Sequence, residues 1–334
     1  MPVKPYSIGV IGDGAWGTTL AVLLAEKGYS VTLWGAFPEY LNDVILRREN
    51  YKFLPGIKIP PTVSFSSDIS HVLAATDLVV LAVPSQYLPA VLKKIKECQY
   101  KGKPFVSVVK GIDPLTLMTM SQLIESALGR IPLAVLSGPT IAIEVAKKIP
   151  TTAVVASKDP ALAKELQEIF SCGYFRIYTN SDVRGVELCG SVKNVIALAC
   201  GICDGLGFGT NTKAALLTRG LVEMTRLGRK LHAKSETFVG LTGLGDLATT
   251  CFSPNSRNRS VGYELGKGRS IKDILSSMDS VAEGVHTAKA VHGLAKKLGI
   301  DMPITEAVYK VVYKGKSAST AVRDLMTRTL KKEL

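Results

Sequence analysis

SIGVIGDGAWGTTLAVLLAEKGYSVTLW, residues 7–34, decides the fold. An apolar run, SIGVIG, ends in a glycine-rich turn, GDGAWG, from Gly12 to Gly17. An apolar helical pattern follows from Thr18 to Lys27, and a second β-branched run, SVTLW, begins at Ser30. A GxGxxG alone is weak, but strand, turn, helix and strand in this order are the context that dinucleotide binding requires. In that setting Gly12 permits the tight turn, Gly14 lets the backbone approach a pyrophosphate, and Gly17 allows close packing of a helix whose N-terminus faces the anion.

Working outward, β-branched or aliphatic runs recur at Thr62, Asp77, Pro104, Pro132, Thr151 and Tyr174, alternating with helix-like segments. That is the pattern of a mostly parallel, doubly wound sheet covered by helices. After Ser181 such runs nearly vanish and helical periodicity takes over, as in Thr287 to Leu298 and Ile304 to Tyr313. The expectation is a Rossmann-type α/β domain over residues 1–181 and an all-helical domain over 182–334. With 334 residues, 46% hydrophobic and 21% charged, disorder and disulfide-stapled miniproteins are excluded.

No apolar stretch reads as the roughly 18 residues of a membrane span, so no membrane insertion and a cytoplasmic location are expected. Six Cys without framework spacing fit reduced thiols, and Cys200 with Cys203 lies in an apolar run with no second pair to complete a zinc site. The four His show no ligand spacing, and no metal is expected. A net charge of +13 admits nucleic acid, a membrane surface or a phosphorylated small molecule. The basic residues are scattered pairs and no helix-turn-helix stands out, so a nucleic-acid partner is not expected.

About 20 residues beyond the glycines, an acidic side chain at the tip of the second strand would hold the ribose 2′-hydroxyl of NAD. Gly35, Ala36 and Phe37 stand there instead, Glu39 comes late, and Arg47 and Arg48 are the candidates for a 2′-phosphate. The choice between NAD and NADP stays open. Beyond the carboxyl ends of later strands lie Lys110 and SGPT, Ser137 to Thr140, where a doubly wound sheet binds its ligands.

In the helical half, LCGSVKNVIALACGIC from Leu188 carries a single charge, Lys193. Such a lysine either snorkels to water or sits desolvated with a partner, and desolvation lowers its pKa toward proton transfer near neutrality. Asp246, alone in the glycine-rich turn LTGLGDLATTC, is a plausible counter-charge. Ser256, Arg257 and Asn258 in one polar loop can clamp a phosphate. Glu283 falls in the turn-like VAEG.

The ordered set GDGAWG, VPS at Val83, KG at Lys110, SGPT, VKN at Val192, GLGDL at Gly243, TC at Thr250, SRN at Ser256, VAEG at Val281 and MPITEAVY at Met302 resembles bacterial NAD(P)-dependent glycerol-3-phosphate dehydrogenase. The resemblance implies reversible hydride transfer between NAD(P)H and dihydroxyacetone phosphate, giving sn-glycerol 3-phosphate for glycerophospholipid synthesis. It makes Lys193 the catalytic acid/base. It places Lys110, Gly138, Thr140, Lys193, Asp246, Ser256, Arg257 and Asn258 on the substrate. Gly12, Gly14, Ala15, Trp16, Gly17, Ala36, Lys110, Ala142, Arg257, Val281 and Glu283 would meet the cofactor, NAD or NADP. Ala36 departs from the polar or basic residue often found there in similar sequences. The implied partner is a small phosphorylated substrate, with a homodimer left open. The nearest alternative is a β-hydroxyacid dehydrogenase acting on an unphosphorylated acid, which shares the dinucleotide end but lacks the phosphate-clamp loop.

Overall fold

Eight apolar runs form one sheet: β1 (Ser7–Ile11), β2 (Ser30–Trp34), β3 (Val63–Ser66), β4 (Leu78–Leu81), β5 (Phe105–Ser107), β6 (Leu133–Ser137), β7 (Thr151–Ser157) and β8 (Phe175–Asn180), in the order β3-β2-β1-β4-β5-β6-β7-β8. The structure, a computed structural model, describes residues 6–278, 281–330 and 332–333. The strands read as unbroken apolar runs because both sheet faces are covered. Leu78 and Val80 of β4 join one core, while Val79 and Leu81 join the other. Helix Ala15–Glu26 supplies Leu20, Leu23 and Leu24 to the first; helices Leu88–Lys96 and Met120–Leu128 supply Leu92, Ile95 and Ile124 to the second. Each such side chain, fully buried, contributes about 1.5–3 kcal/mol of transfer free energy.

Six of the seven pairings are parallel; β6 and β7 run antiparallel, with Val135 opposite Ala156. The strand order reverses between β1 and β4, and the GDGAWG turn leaves β1 at that point.

The chain divides into two compact units, Met1–Lys110 with Met118–Glu187, and Gly111–Leu117 with Leu188–Leu334. Among its described residues the second unit contains helices and no strand. At its centre lies the greater part of helix Val183–Gly205, from Leu188 onward, almost wholly apolar as a helix enclosed by others must be. By length and hydropathy this helix could cross a membrane, which corrects the expectation that no stretch is long enough; its most apolar window is wholly buried inside the protein.

Glycines bring helix Arg257–Gly266 directly against this central helix. A Cβ at Gly262 would stand 2.1 Å from the Leu198 carbonyl oxygen, and one at Gly201 would stand 2.0 Å from that of Arg259. No larger residue permits that backbone contact. Helix Pro303–Lys314 is pinned by the buried Glu223, whose carboxylate accepts from the backbone N–H of Ile304 (2.6 Å) and Thr305 (3.2 Å) and from the Thr305 hydroxyl (3.1 Å). Burial pushes the Glu223 carboxyl up to about 7, against the lowering effect of those donors.

Candidate active site

The glycine turn has the geometry its sequence predicts. Gly12 has φ +123°, and a Cβ there would lie 2.7 Å from the Ala82 carbonyl carbon, so a side chain is excluded both by conformation and by space. Gly14 faces open space, and helix Ala15–Glu26 starts without a side-chain cap. Its first backbone N–H groups therefore suit a pyrophosphate, which fits the dinucleotide.

Around this turn the structure gathers several of the residues assigned to the cofactor. Trp16 meets Phe175 edge-to-face at 6.2 Å. The Thr19 hydroxyl donates to the carbonyls of Ala15 (2.8 Å) and Ala142 (3.3 Å), tying the turn to the short helix Ala142–Ala146. Ala36 is exposed just past β2, followed by Phe37 at 71% exposure. Arg48, one of two residues considered for a 2′-phosphate, is instead engaged by the carbonyls of Pro60 and Val63 and lies over the Phe65 ring. Arg47 lies over the Tyr51 ring at 4.8 Å.

Two residues here escaped the sequence reading. Asn50 is fully buried: its amide donates to the Asp13 carbonyl (2.6 Å) and the Thr18 hydroxyl (2.7 Å), and its oxygen accepts from Tyr40 (2.5 Å) and the Phe53 N–H (3.1 Å). Asp13 itself carries a buried carboxylate oxygen with no hydrogen-bond partner among the described residues, and burial raises its pKa.

Lys110, Gly138 and Thr140 come together beyond β5 and β6. The Lys110 ammonium donates to the Gly138 carbonyl at 3.0 Å, and the Thr140 hydroxyl donates to the same oxygen at 3.2 Å.

In the second unit Lys193 does not snorkel. It is 5% exposed, and its ammonium donates to the Asp246 carboxylate, itself 1% exposed, and to the Thr250 hydroxyl at 2.8 Å. Thr250 was not singled out from the sequence as a side chain of its own. Its hydroxyl donates to the Asp246 carbonyl at 2.6 Å, one helical turn back. In so apolar a helix, charge pairing and a hydroxyl partner are what make a buried ammonium tolerable.

Three segments expected as turns or loops are helix starts. Asp246 opens helix Asp246–Phe252 after the wide π-helical turn Leu241–Gly245, and Glu283 opens helix Glu283–Leu298, directly after Val281 and Ala282. Ser256 is the N-cap of helix Arg257–Gly266, accepting from the Arg259 N–H at 3.3 Å. Asn258 is buried, and its side-chain oxygen accepts from the Gly284 N–H at 2.8 Å, linking two of these helix starts. Arg257 is exposed and makes no hydrogen bond or ion pair among the described residues. A free guanidinium at a helix N-terminus is a favourable place for a phosphate.

All six Cys are free, with Cys189, Cys200, Cys203 and Cys251 buried, and a hydrogen bond to Cys200 raises the Cys251 thiol. Among the described residues no cluster of His, Cys, Asp and Glu could hold a metal ion.

The family model for the N-terminus of NAD-dependent glycerol-3-phosphate dehydrogenase matches residues 7–163, and the model for its C-terminus matches residues 182–323. The chain belongs to this family. Among NAD-dependent glycerol-3-phosphate dehydrogenases, it is 50% identical over 331 residues to the NAD(P)+ enzyme of Syntrophotalea carbinolica, covering 98% of this chain and 99% of that one. The corresponding protein of Chlorobium limicola is 47% identical over 330 residues, with 98% and 99% covered. The crystal structure of glycerol-3-phosphate dehydrogenase from Coxiella burnetii superimposes with a TM-score of 0.94 at 37% identity, covering 97% of this chain and 99% of that one. Family membership makes the chain an NAD(P)-dependent oxidoreductase and favours the phosphorylated substrate over the hydroxy-acid alternative.

Proposed function

We propose that this chain interconverts dihydroxyacetone phosphate and sn-glycerol 3-phosphate, with Lys193 as the acid/base at the substrate oxygen. Residues 1–181 would hold the cofactor and residues 182–334 most of the substrate. The observation that carries this reading is the buried Lys193 ammonium, fixed by Asp246 and Thr250 in an otherwise apolar core.

Bound NAD(P)H supplies a hydride to the ketone carbon. Negative charge then develops on the ketone oxygen, and a cation there stabilises the transition state more than the ground state. Lys193 gives that oxygen a proton and is left neutral; in the reverse direction it takes the proton back. Asp246 and Thr250 keep the ammonium from rotating away, so little reorganisation accompanies transfer. Lys110, beside Gly138 and Thr140, adds positive field at the substrate.

Arg257 and the helix start behind it, with Ser256 and Asn258, anchor the phosphate. Gly12, Gly14, Ala15, Trp16 and Gly17 would cradle the pyrophosphate side of the cofactor, with Ala36, Ala142, Val281 and Glu283 as further contacts. The product is a head-group precursor of glycerophospholipids. Free thiols and an apolar helix whose most apolar window is buried inside the protein support a water-soluble enzyme of the cytoplasm.

Arg257→Ala tests the substrate assignment. Loss of a charge-assisted contact should raise the KM for dihydroxyacetone phosphate about 10- to 100-fold. Because Arg257 is also assigned to the cofactor, both substrates are assayed at saturating NADH, where turnover of dihydroxyacetone, which has no phosphate, should stay unchanged. Equal losses on both substrates would contradict the phosphate-anchor role.

A further inference from the structure

We propose that Asp13 is the specificity-determining residue for the adenosine ribose, selecting NAD(H) over NADP(H) by accepting the hydroxyl hydrogen bonds that a carboxylate at the end of β2 would otherwise accept. The inference rests on the reading of GDGAWG as the dinucleotide turn.

Three observations meet at this side chain. The end of β2 is Gly35-Ala36-Phe37 and offers no acid. A side chain at Gly35 would displace Asp13, because a Cβ there would lie 2.5 Å from the Asp13 Oδ2 and 3.0 Å from its Cγ. The carboxylate of Asp13 thus occupies the volume that a side chain at the tip of β2 would take. Register explains why: Ile11 of β1 lies opposite Trp34 of β2, and the Gly12 N–H donates to the Trp34 carbonyl at 3.0 Å, so residue 13 emerges beside residue 35.

The second observation is the orphaned Asp13 Oδ2, buried with no hydrogen-bond partner among the described residues. A buried acceptor without a donor is costly to maintain, and native proteins seldom keep one without a use. Asp13 as a residue is only half-buried, and rotation about an aspartate χ2 is soft, so either oxygen can turn to a ligand hydroxyl.

Rigidity is the third. The Asp13 backbone is clamped through its carbonyl by the Asn50 amide (2.6 Å) and the Thr18 hydroxyl (3.3 Å). The backbone from which the carboxylate projects is therefore fixed before any cofactor arrives, so only the side-chain torsions remain to be set on binding.

Chemistry sets the direction of selection. Ribose hydroxyls donate to a carboxylate, whereas a 2′-phosphate offers it a second anion at close range. Of the two arginines that could offset that repulsion, Arg48 is engaged by the backbone carbonyls of Pro60 and Val63, and Arg47 lies over the Tyr51 ring.

The test is titration calorimetry of the purified protein with NADH and, separately, NADPH, in the absence of substrate, for the wild type and Asp13→Asn. The wild type should bind NADH at least about 10-fold more tightly than NADPH, the worth of a charge-assisted hydrogen bond. Asp13→Asn should weaken NADH about 10-fold and leave NADPH as tight or tighter, so the preference collapses. Wild-type protein binding NADPH as well as NADH would overturn the proposal without any variant. So would an Asp13→Asn protein that keeps the wild-type preference. Binding of neither dinucleotide would overturn the dinucleotide reading itself and this proposal with it, a result distinct from equal binding.

Discussion

Replacing Lys193 by Met keeps the length of the side chain and removes its charge, which separates two roles that the structure gives this residue. The ion pair with Asp246 is buried on both sides, at 6% and 2% side-chain exposure. Removing one partner of a buried pair costs about 3–5 kcal/mol, because the other charge stays desolvated and unmatched. At about 2–4 °C per kcal/mol for a domain of 150–250 residues, Lys193→Met should lower the melting temperature by roughly 6–20 °C. Turnover should fall about 10²–10⁴-fold from loss of proton transfer alone. The double variant Lys193→Met with Asp246→Leu exchanges the whole pair for apolar groups, which is often neutral or stabilising. It should regain most of the lost melting temperature while staying as inactive as the single variant. The assays are differential scanning calorimetry and loss of nicotinamide absorbance with dihydroxyacetone phosphate. A Lys193→Met protein with near-normal turnover would refute the acid/base role; a double variant no more stable than the single one would refute the buried pair as the source of the instability.

Gly262→Ala should act at a distance from the chemistry. Its methyl would stand 2.1 Å from the Leu198 carbonyl oxygen, so the two helices must separate, at a cost of about 1–3 kcal/mol or more. Moving that helix shifts Arg257 and Asn258, and through Asn258 the helix start at Glu283, so the KM for dihydroxyacetone phosphate should rise and calorimetric binding of NADH should weaken with it. Glu223 makes stability depend on pH. Burial raises its carboxyl from 4.5 to about 7, so the folded protein holds this proton more tightly than the unfolded chain. The stability tied to it is fully present below pH 4.5 and is lost as pH rises through 7, a change of about 3 kcal/mol. Glu223→Gln should flatten that slope in melting temperatures measured across the same interval, and an unchanged slope would contradict the assignment.

The sheet was legible because a strand buried on both faces has to be apolar throughout, and Leu78–Leu81 advertises this directly. Direction is another matter. Thr151–Ser157 reads like its neighbours, yet β7 runs antiparallel to β6. Composition reports burial and carries no sign of orientation. The pairing of Lys193 with Asp246 could be anticipated since each is a solitary charge in apolar sequence. Thr250 could not, because its role comes from standing one helical turn after Asp246, and the helix itself went unread.

The segments around Asp246, Ser256 and Glu283 illustrate a general ambiguity. Glycine and small polar residues mark loops, and they also cap helices; Ser256 does the second. Likewise Gly201 with Gly205, and Gly262 with Gly266, lie at a spacing that lets two helices touch along their backbones, a contact visible only when both helices are in view. Asp13 was hidden inside the glycine motif, at a position the motif leaves unspecified.

The most direct test of the whole account is to mix the purified protein with NADH or NADPH and each of dihydroxyacetone phosphate, dihydroxyacetone and an unphosphorylated keto acid, and to follow the nicotinamide absorbance. Rapid cofactor oxidation is expected with dihydroxyacetone phosphate and far slower oxidation with the other two. Oxidation with the keto acid and none with dihydroxyacetone phosphate would contradict it.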